Sequence, residues 1–130
     1  MKIIFIFFVL ISCNFCFAQN DSIFMEIATE ASDTSQYELT IIEPGFDSWF
    51  ITNRKPVWYH EETYYKTYNQ LYVNEWNVRV RSIEFDVPYD NIIHYNYMTE
   101  YGIDLEYKLF WYFKFMEDKY NMKLLATGQK

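Results

Sequence analysis

At 130 residues the chain has room for one folded domain. Its formal net charge is −7, from 11 Lys and Arg against 18 Asp and Glu, and this disfavours nucleic acids and anionic lipid surfaces, which are held by Lys and Arg. Three glycines leave no material for a phosphate-cradling loop. The unusual quantity is the aromatic content, 22% Phe, Trp and Tyr.

The opening MKIIFIFFVLISCNFCFAQN has the anatomy of an export signal. Lys2 is a minimal positive region, and Ile3 to Ile11 form an apolar stretch too short to span a bilayer. Small residues at Cys16 and Ala18 favour a signal peptide over 1–18 with cleavage after Ala18. The competing reading is a lipoprotein signal over 1–12, in which Leu10-Ile11-Ser12-Cys13 is a lipobox and Cys13 is lipidated. Phe15, Cys16 and Phe17 argue against it, since they stand where a polar tether is usual. A third reading keeps the segment as an uncleaved anchor. All three place the protein in an exported compartment: periplasm or cell envelope, soluble or lipid-anchored. Both cysteines fall inside this segment, so the remainder has no disulfide, no thiol nucleophile and no thiolate metal site.

Residues 19–36, rich in Asp, Ser, Thr and Glu, read as a flexible tether with a short apolar run, Ile23 to Ile27, able to dock locally. The globular domain is expected over 37–125, with a polar tail at 126–130. YELTIIE alternates with period two and predicts a strand over Tyr37–Glu43. Pro44-Gly45 ends it. Asp47 is placed to cap a short helix reaching Asn53, with Phe46 and Ile51 spaced for a hydrophobic staple and Pro56 forbidding continuation.

Thr63–Arg81 is the clearest helix. Stepped at about 100° per residue, Tyr65, Tyr68, Tyr72 and Trp76 form one stripe, extended by Tyr64, Leu71 and Val78, with Lys66, Gln70, Asn74 and Asn77 opposite. Glu75 and Arg79 fall inside the aromatic arc as an i,i+4 pair in the favourable order. Inside a buried arc neither charge can stand alone, so this pair is either a buried structural bridge or the candidate functional pair. SIEFDV and IIHYNY predict a hairpin across Pro88–Asn91, with the second strand, Ile92–Tyr97, beside the one at Tyr37. Gly102 to Lys123 predicts a central helix. Leu105, Leu109, Tyr112, Phe113, Met116, Tyr120 and Leu124 form its main arc, and Trp111 and Phe115 a second patch.

Motifs of chemistry are sparse. HEETY at His60 lacks the second histidine of a zincin helix. His94 with Asp90 and Asp86 spans a turn, a poor metal spacing. GFDSW lacks the glycine that follows the serine of a nucleophile elbow. No catalytic residue, metal site or cofactor is expected from these patterns.

Three stretches together resemble a known family: YELTIIEPGFDSWF, NEWNVR and EYGIDLEYKLFWYFKF. They are similar to small exported proteins of Gram-negative bacteria that carry a domain of unknown function and often a lipoprotein-type leader. The resemblance covers Tyr37 to Leu124, departing at Glu43 and Glu100, where Asp is commoner in the family. It implies no activity, substrate or catalytic residue.

The fold class expected is α+β: two long amphipathic helices and one short helix packed on a small two- or three-stranded antiparallel sheet. The function expected is a non-enzymatic binding or structural role in the cell envelope, with a protein or glycan partner and membrane contact only through a lipid at Cys13. The alternatives are an aromatic-rich carbohydrate-binding module and a small hydrolase using Glu75 or another carboxylate.

Overall fold

The computed structural model describes residues 24–28, 36–82 and 91–126, with side chains over 37–82 and 91–126. The signal segment with Cys13, all but Ser82 of the strand expected over Ser82–Val87, and the tail from 127 lie outside the described residues. In chain order the elements are strands β1 (Phe24–Ala28) and β2 (Gln36–Thr40), then helices α1 (Phe46–Asn53), α2 (Glu62–Arg81) and α3 (Ile103–Lys119). A 3-10 turn, Val57–Tyr59, links α1 to α2.

The α+β expectation, helices resting on an antiparallel sheet, is overturned. The architecture is helical: α2 and α1 pack on α3, and the core is built between helices. The strand at Tyr37 exists but pairs elsewhere. β2 runs antiparallel to β1 as a peripheral ribbon, in register from Phe24 opposite Thr40 to Ala28 opposite Gln36, and β1 lies within the stretch read as tether. Leu39 of β2 is buried and Thr40 is exposed, so the period-two pattern reports its inner face correctly.

Ile92–Tyr97 does not form the expected partner strand. Side chains have taken its backbone groups instead. Trp76 Nε1 donates to the Asn91 carbonyl at 2.9 Å. Asn77 Nδ2 donates to the Ile93 carbonyl at 2.9 Å, and Ile93 N–H donates back to Asn77 Oδ1 at 2.8 Å. Asn96 N–H donates to the Tyr101 hydroxyl at 3.0 Å. Backbone already satisfied in this way offers no ladder to a neighbouring strand.

α3 is central, as its apolar residues on more than one side imply. Leu105, Leu109, Tyr112, Phe113, Phe115 and Met116 are all buried. It stops at Lys119, four residues short of the expected Lys123, because Asn121 takes a left-handed φ of 47° and Met122 N–H turns back to the Glu117 carbonyl at 3.0 Å. Tyr120 is consequently exposed, whereas Leu124 folds back into the core. On α2 the inner face is Tyr65, Asn69, Tyr72, Val73 and Trp76, while Val78, expected on that stripe, is exposed.

EPGFDSWF is a joint, built differently from its expected form. Gly45, at φ 87°, is the N-cap in place of Asp47, and no side chain caps the helix. Ile51 is 71% exposed, so no staple closes onto Phe46. Phe46 instead stacks on Phe50 at 5.2 Å and meets Tyr112 and Phe115 edge-on. Trp49 Nε1 donates to Asp118 Oδ2 at 2.7 Å, and Lys119 bridges to Glu43. Both contacts lock the corner to the C-terminal end of α3.

Candidate functional site

Between α1 and α2 the chain is held from beneath by core tyrosines. α1 ends at Asn53, and Pro56 precedes the 3-10 turn as its N-cap. The Tyr65 hydroxyl donates to the Val57 carbonyl at 3.1 Å, and the Tyr107 hydroxyl donates to the Lys55 carbonyl. Both rings are buried and meet edge-on at 5.5 Å. Burial raises the pKa of each phenol, so each remains a protonated donor at neutral pH.

That anchoring sets what the turn shows to solvent. Trp58 is 78% exposed and Tyr59 is 54% exposed. Behind them the rings continue: His60 meets Tyr59 edge-on at 4.7 Å and stacks on Tyr64 at 3.6 Å, and Tyr64 leans on Tyr68 at 4.5 Å. Tyr64 and Tyr68 are half-buried against Phe110 of the core. The result is a row of rings that rises out of the core as far as Tyr59, with Trp58, its neighbour in the chain, open to solvent. Arg54, Lys55, Pro56, Glu61 and Thr63 flank it in the chain, all exposed.

A second cluster lies inside the fold. Glu106 of α3 is fully buried. Its Oε2 accepts from Asn69 Nδ2 of α2 at 2.7 Å, and the Tyr95 hydroxyl lies 3.0 Å from both carboxylate oxygens. Asn69 Nδ2 also donates to the Glu106 carbonyl at 2.8 Å, and the Tyr95 hydroxyl lies 3.3 Å from the Lys66 carbonyl. Burial raises the Glu106 pKa, opposed by the hydrogen bonds of Asn69 and Tyr95 and by the charge of Lys66. The cluster ties α2, α3 and the 91–101 loop together. Above it, Glu62, Thr63, Lys66, Tyr97, Met98 and Glu100 line an open concavity of about 390 Å³. Lys66 Nζ bridges to Glu100 at 2.7 Å there, with Nζ 5.4 Å from the centre of the Tyr97 ring.

Glu75 and Arg79, the candidate functional pair, do meet. Arg79 Nε lies 2.7 Å from Glu75 Oε1, with the arginine side chain 14% and the glutamate 37% exposed. Arg79 Nη2 also donates to the Lys123 carbonyl at 2.7 Å. The guanidinium thus ties α2 to the chain that follows α3. Neither residue lines the concavity. His60 is engaged in the aromatic stack, and His94 is exposed. No group of three or more His, Cys, Asp or Glu side chains close enough to hold a metal occurs among the described residues.

Sequence reading missed Asn69, Glu106 and Tyr95 as a cluster, although the signal that singled out Glu75 and Arg79 was available. Asn69 sits between Tyr65 and Tyr72 on the α2 stripe, and Glu106 sits at helical spacing from Leu109, Phe110 and Phe113. Trp58 and Tyr59 carried no periodic signal, because they occupy a short turn.

Neither a curated protein nor a solved structure matches the chain. A family model does, over residues 1–130, beyond the stretch from Tyr37 to Leu124 that carried the resemblance. The chain therefore belongs to DUF6146, a family of unknown function.

Proposed function

We propose that the protein is a non-enzymatic recognition domain of the cell envelope that binds its partner through the edge formed by Trp58 and Tyr59. One observation carries this reading: an indole 78% exposed stands on a turn whose backbone is fastened from below by the hydroxyls of Tyr65 and Tyr107. An exposed ring on a pre-set turn loses little conformational freedom on binding, which is what a recognition anchor requires. The stripe Tyr65, Tyr72 and Trp76 is core and contributes by holding that edge in place. Export, by the signal segment over 1–18 or by lipidation at Cys13, brings the edge to the envelope.

A hydrolase reading has less to stand on. The Glu75 carboxylate is engaged by Arg79, and Glu106 is sealed from solvent.

Retention on isolated bacterial envelopes tests the proposal. The wild-type protein should co-sediment with them, and Trp58→Ala, with unchanged circular dichroism, should be retained about tenfold less, as for loss of a binding anchor. Equal retention of both proteins, or no retention of either, would overturn it.

A further inference from the structure

We infer that the Glu106 carboxyl and the Tyr95 hydroxyl form a proton-controlled latch, which holds the 91–101 loop against α2 and α3 and releases it when Glu106 is charged. The latch stands apart from recognition at Trp58.

The geometry of the cluster sets where the protons go. The Tyr95 hydroxyl has one proton and two acceptors in reach, the Glu106 carboxylate at 3.0 Å and the Lys66 carbonyl at 3.3 Å. With Glu106 protonated, its O–H donates to the Tyr95 oxygen and the Tyr95 proton goes to the Lys66 carbonyl. One chain of bonds then runs from α3 through the loop to α2. With Glu106 ionised, the Tyr95 proton turns to the carboxylate and the bond to Lys66 is given up. The phenol keeps its proton throughout, because burial and the adjacent carboxylate push its pKa up. The carboxyl is the group that changes.

Its charged form is costly in place. Glu106 is fully buried, and Asn69 and Tyr95 donate to its carboxylate. Among the charges that face it from α2, Lys66 favours ionisation and Glu62 opposes it. The Lys66 ammonium is itself bridged to Glu100 of the loop at 2.7 Å. On the far side of Tyr95, Tyr101 stacks at 5.3 Å, and Tyr37 of β2 lies edge-on to Tyr101 at 4.9 Å. Burial outweighs the groups that favour charge, and the carboxyl is pushed up from its ordinary value of 4.5.

The loop is the wall that can give way. α2 and α3 share the core, whereas 91–101 contains no helix or strand. Its tip is closed on itself: Asn96 N–H donates to the Tyr101 hydroxyl, Met98 N–H to Asn96 Oδ1 and Thr99 N–H to the Asn96 carbonyl. The Lys66–Glu100 bridge ties the tip to α2 only weakly, since the glutamate side chain is 81% exposed. Water reaches a charged Glu106 at lower cost by lifting this segment than by parting two helices. Tyr97, Met98 and Glu100 line the concavity, so release of the loop opens one of its walls.

Amide exchange followed by NMR tests the latch, with each rate divided by that of the unstructured chain. The Ile93 amide, bonded to Asn77 of α2, reports opening, and the Glu106 carboxyl carbon reports ionisation. Between pH 4.5 and the pH at which Glu106 ionises in the fold, Ile93 protection should fall about tenfold per pH unit. Amides inside α2 and α3 should not follow it, and in Glu106→Gln the Ile93 protection should be independent of pH. A carboxyl that ionises at its ordinary value, level protection while it titrates, or the same fall in Glu106→Gln overturns the latch. So does a fall shared equally by α2 and α3, which marks loss of the whole fold. Should Glu106→Gln fail to fold, Tyr95→Phe decides, because it keeps the ring and removes a donor to the charged form. Its carboxyl should ionise at higher pH and the fall in Ile93 protection should extend with it; a profile equal to wild type overturns the latch.

Discussion

Glu106 meets its partners as an amide and a phenol, with the opposing charge of Lys66 acting from further off. A buried carboxylate placed this way favours its protonated form, and that has a definite sign in stability. Below the ordinary value of 4.5 both folded and unfolded chains hold the proton, and the contribution of Glu106 is complete. As pH rises, the unfolded chain releases its proton first, so stability is lost until the raised folded pKa is passed. Glu106→Gln keeps the shape and removes the titration. Relative to wild type, its stability should therefore rise between pH 4.5 and the alkaline plateau, by about 1.4 kcal/mol for each pKa unit of displacement. Urea unfolding of both proteins across that range is the measurement, and parallel curves would show that Glu106 does not titrate differently on folding. Sequence position alone marks Glu106 as a polar residue on an apolar arc. It cannot name Asn69 and Tyr95 as partners, because those come from other elements.

At the scale of elements, two helices start on glycines in different backbone states. Gly45, before α1, sits at φ 87°, ψ −8°, and Gly102, before α3, at φ 89°, ψ 153°. An added Cβ meets nothing within 4 Å at either position, so substitution there acts through backbone strain. The Gly45 conformation lies near the left-handed region that Asn tolerates, whereas that of Gly102 belongs almost wholly to glycine. Gly45→Asn should thus cost about 1 kcal/mol, and Gly102→Asn should cost more, up to about 3 kcal/mol. Thermal or urea unfolding compares them, and equal costs would refute the distinction. Pro44-Gly45 was read as the end of the strand, which stops earlier, at Thr40, and Asp47 was read as the cap because a short acidic side chain is the usual solution. The positive φ of Gly45 supplies the turn without it.

At the scale of the whole molecule, most of the described aromatic residues are packed into the interior, whereas Trp58 stands open on its turn. Phe113 is fully buried, stacks on Tyr72 at 4.9 Å and lies edge-on to Trp76 at 6.1 Å. Phe113→Ala should cost about 3–5 kcal/mol, the range for emptying a packed aromatic site. Trp58→Ala, at an open surface position, should change stability by less than about 0.5 kcal/mol. Calorimetric unfolding of the two variants checks the division. A large loss from Trp58→Ala would mean that the indole serves the fold rather than a partner.

The two long helices, the inner face of β2 and the central place of α3 were all legible in the amino-acid sequence. Each follows from periodicity, which is a local property of the chain. Only the tertiary structure decided that the helices pack on one another rather than on a sheet. IIHYNY has a strand's pattern, but Asn77, fifteen residues before Ile92, takes the backbone bonds that a strand would have used. The exposed edge is of the same kind. Nothing in the stretch Pro56 to His60 shows that Tyr65 and Tyr107 reach its carbonyls, and without those bonds Trp58 would be one more aromatic among many. Whether a side chain lies in the core or over solvent depends on contacts distant in sequence, and those form only when the helices have met.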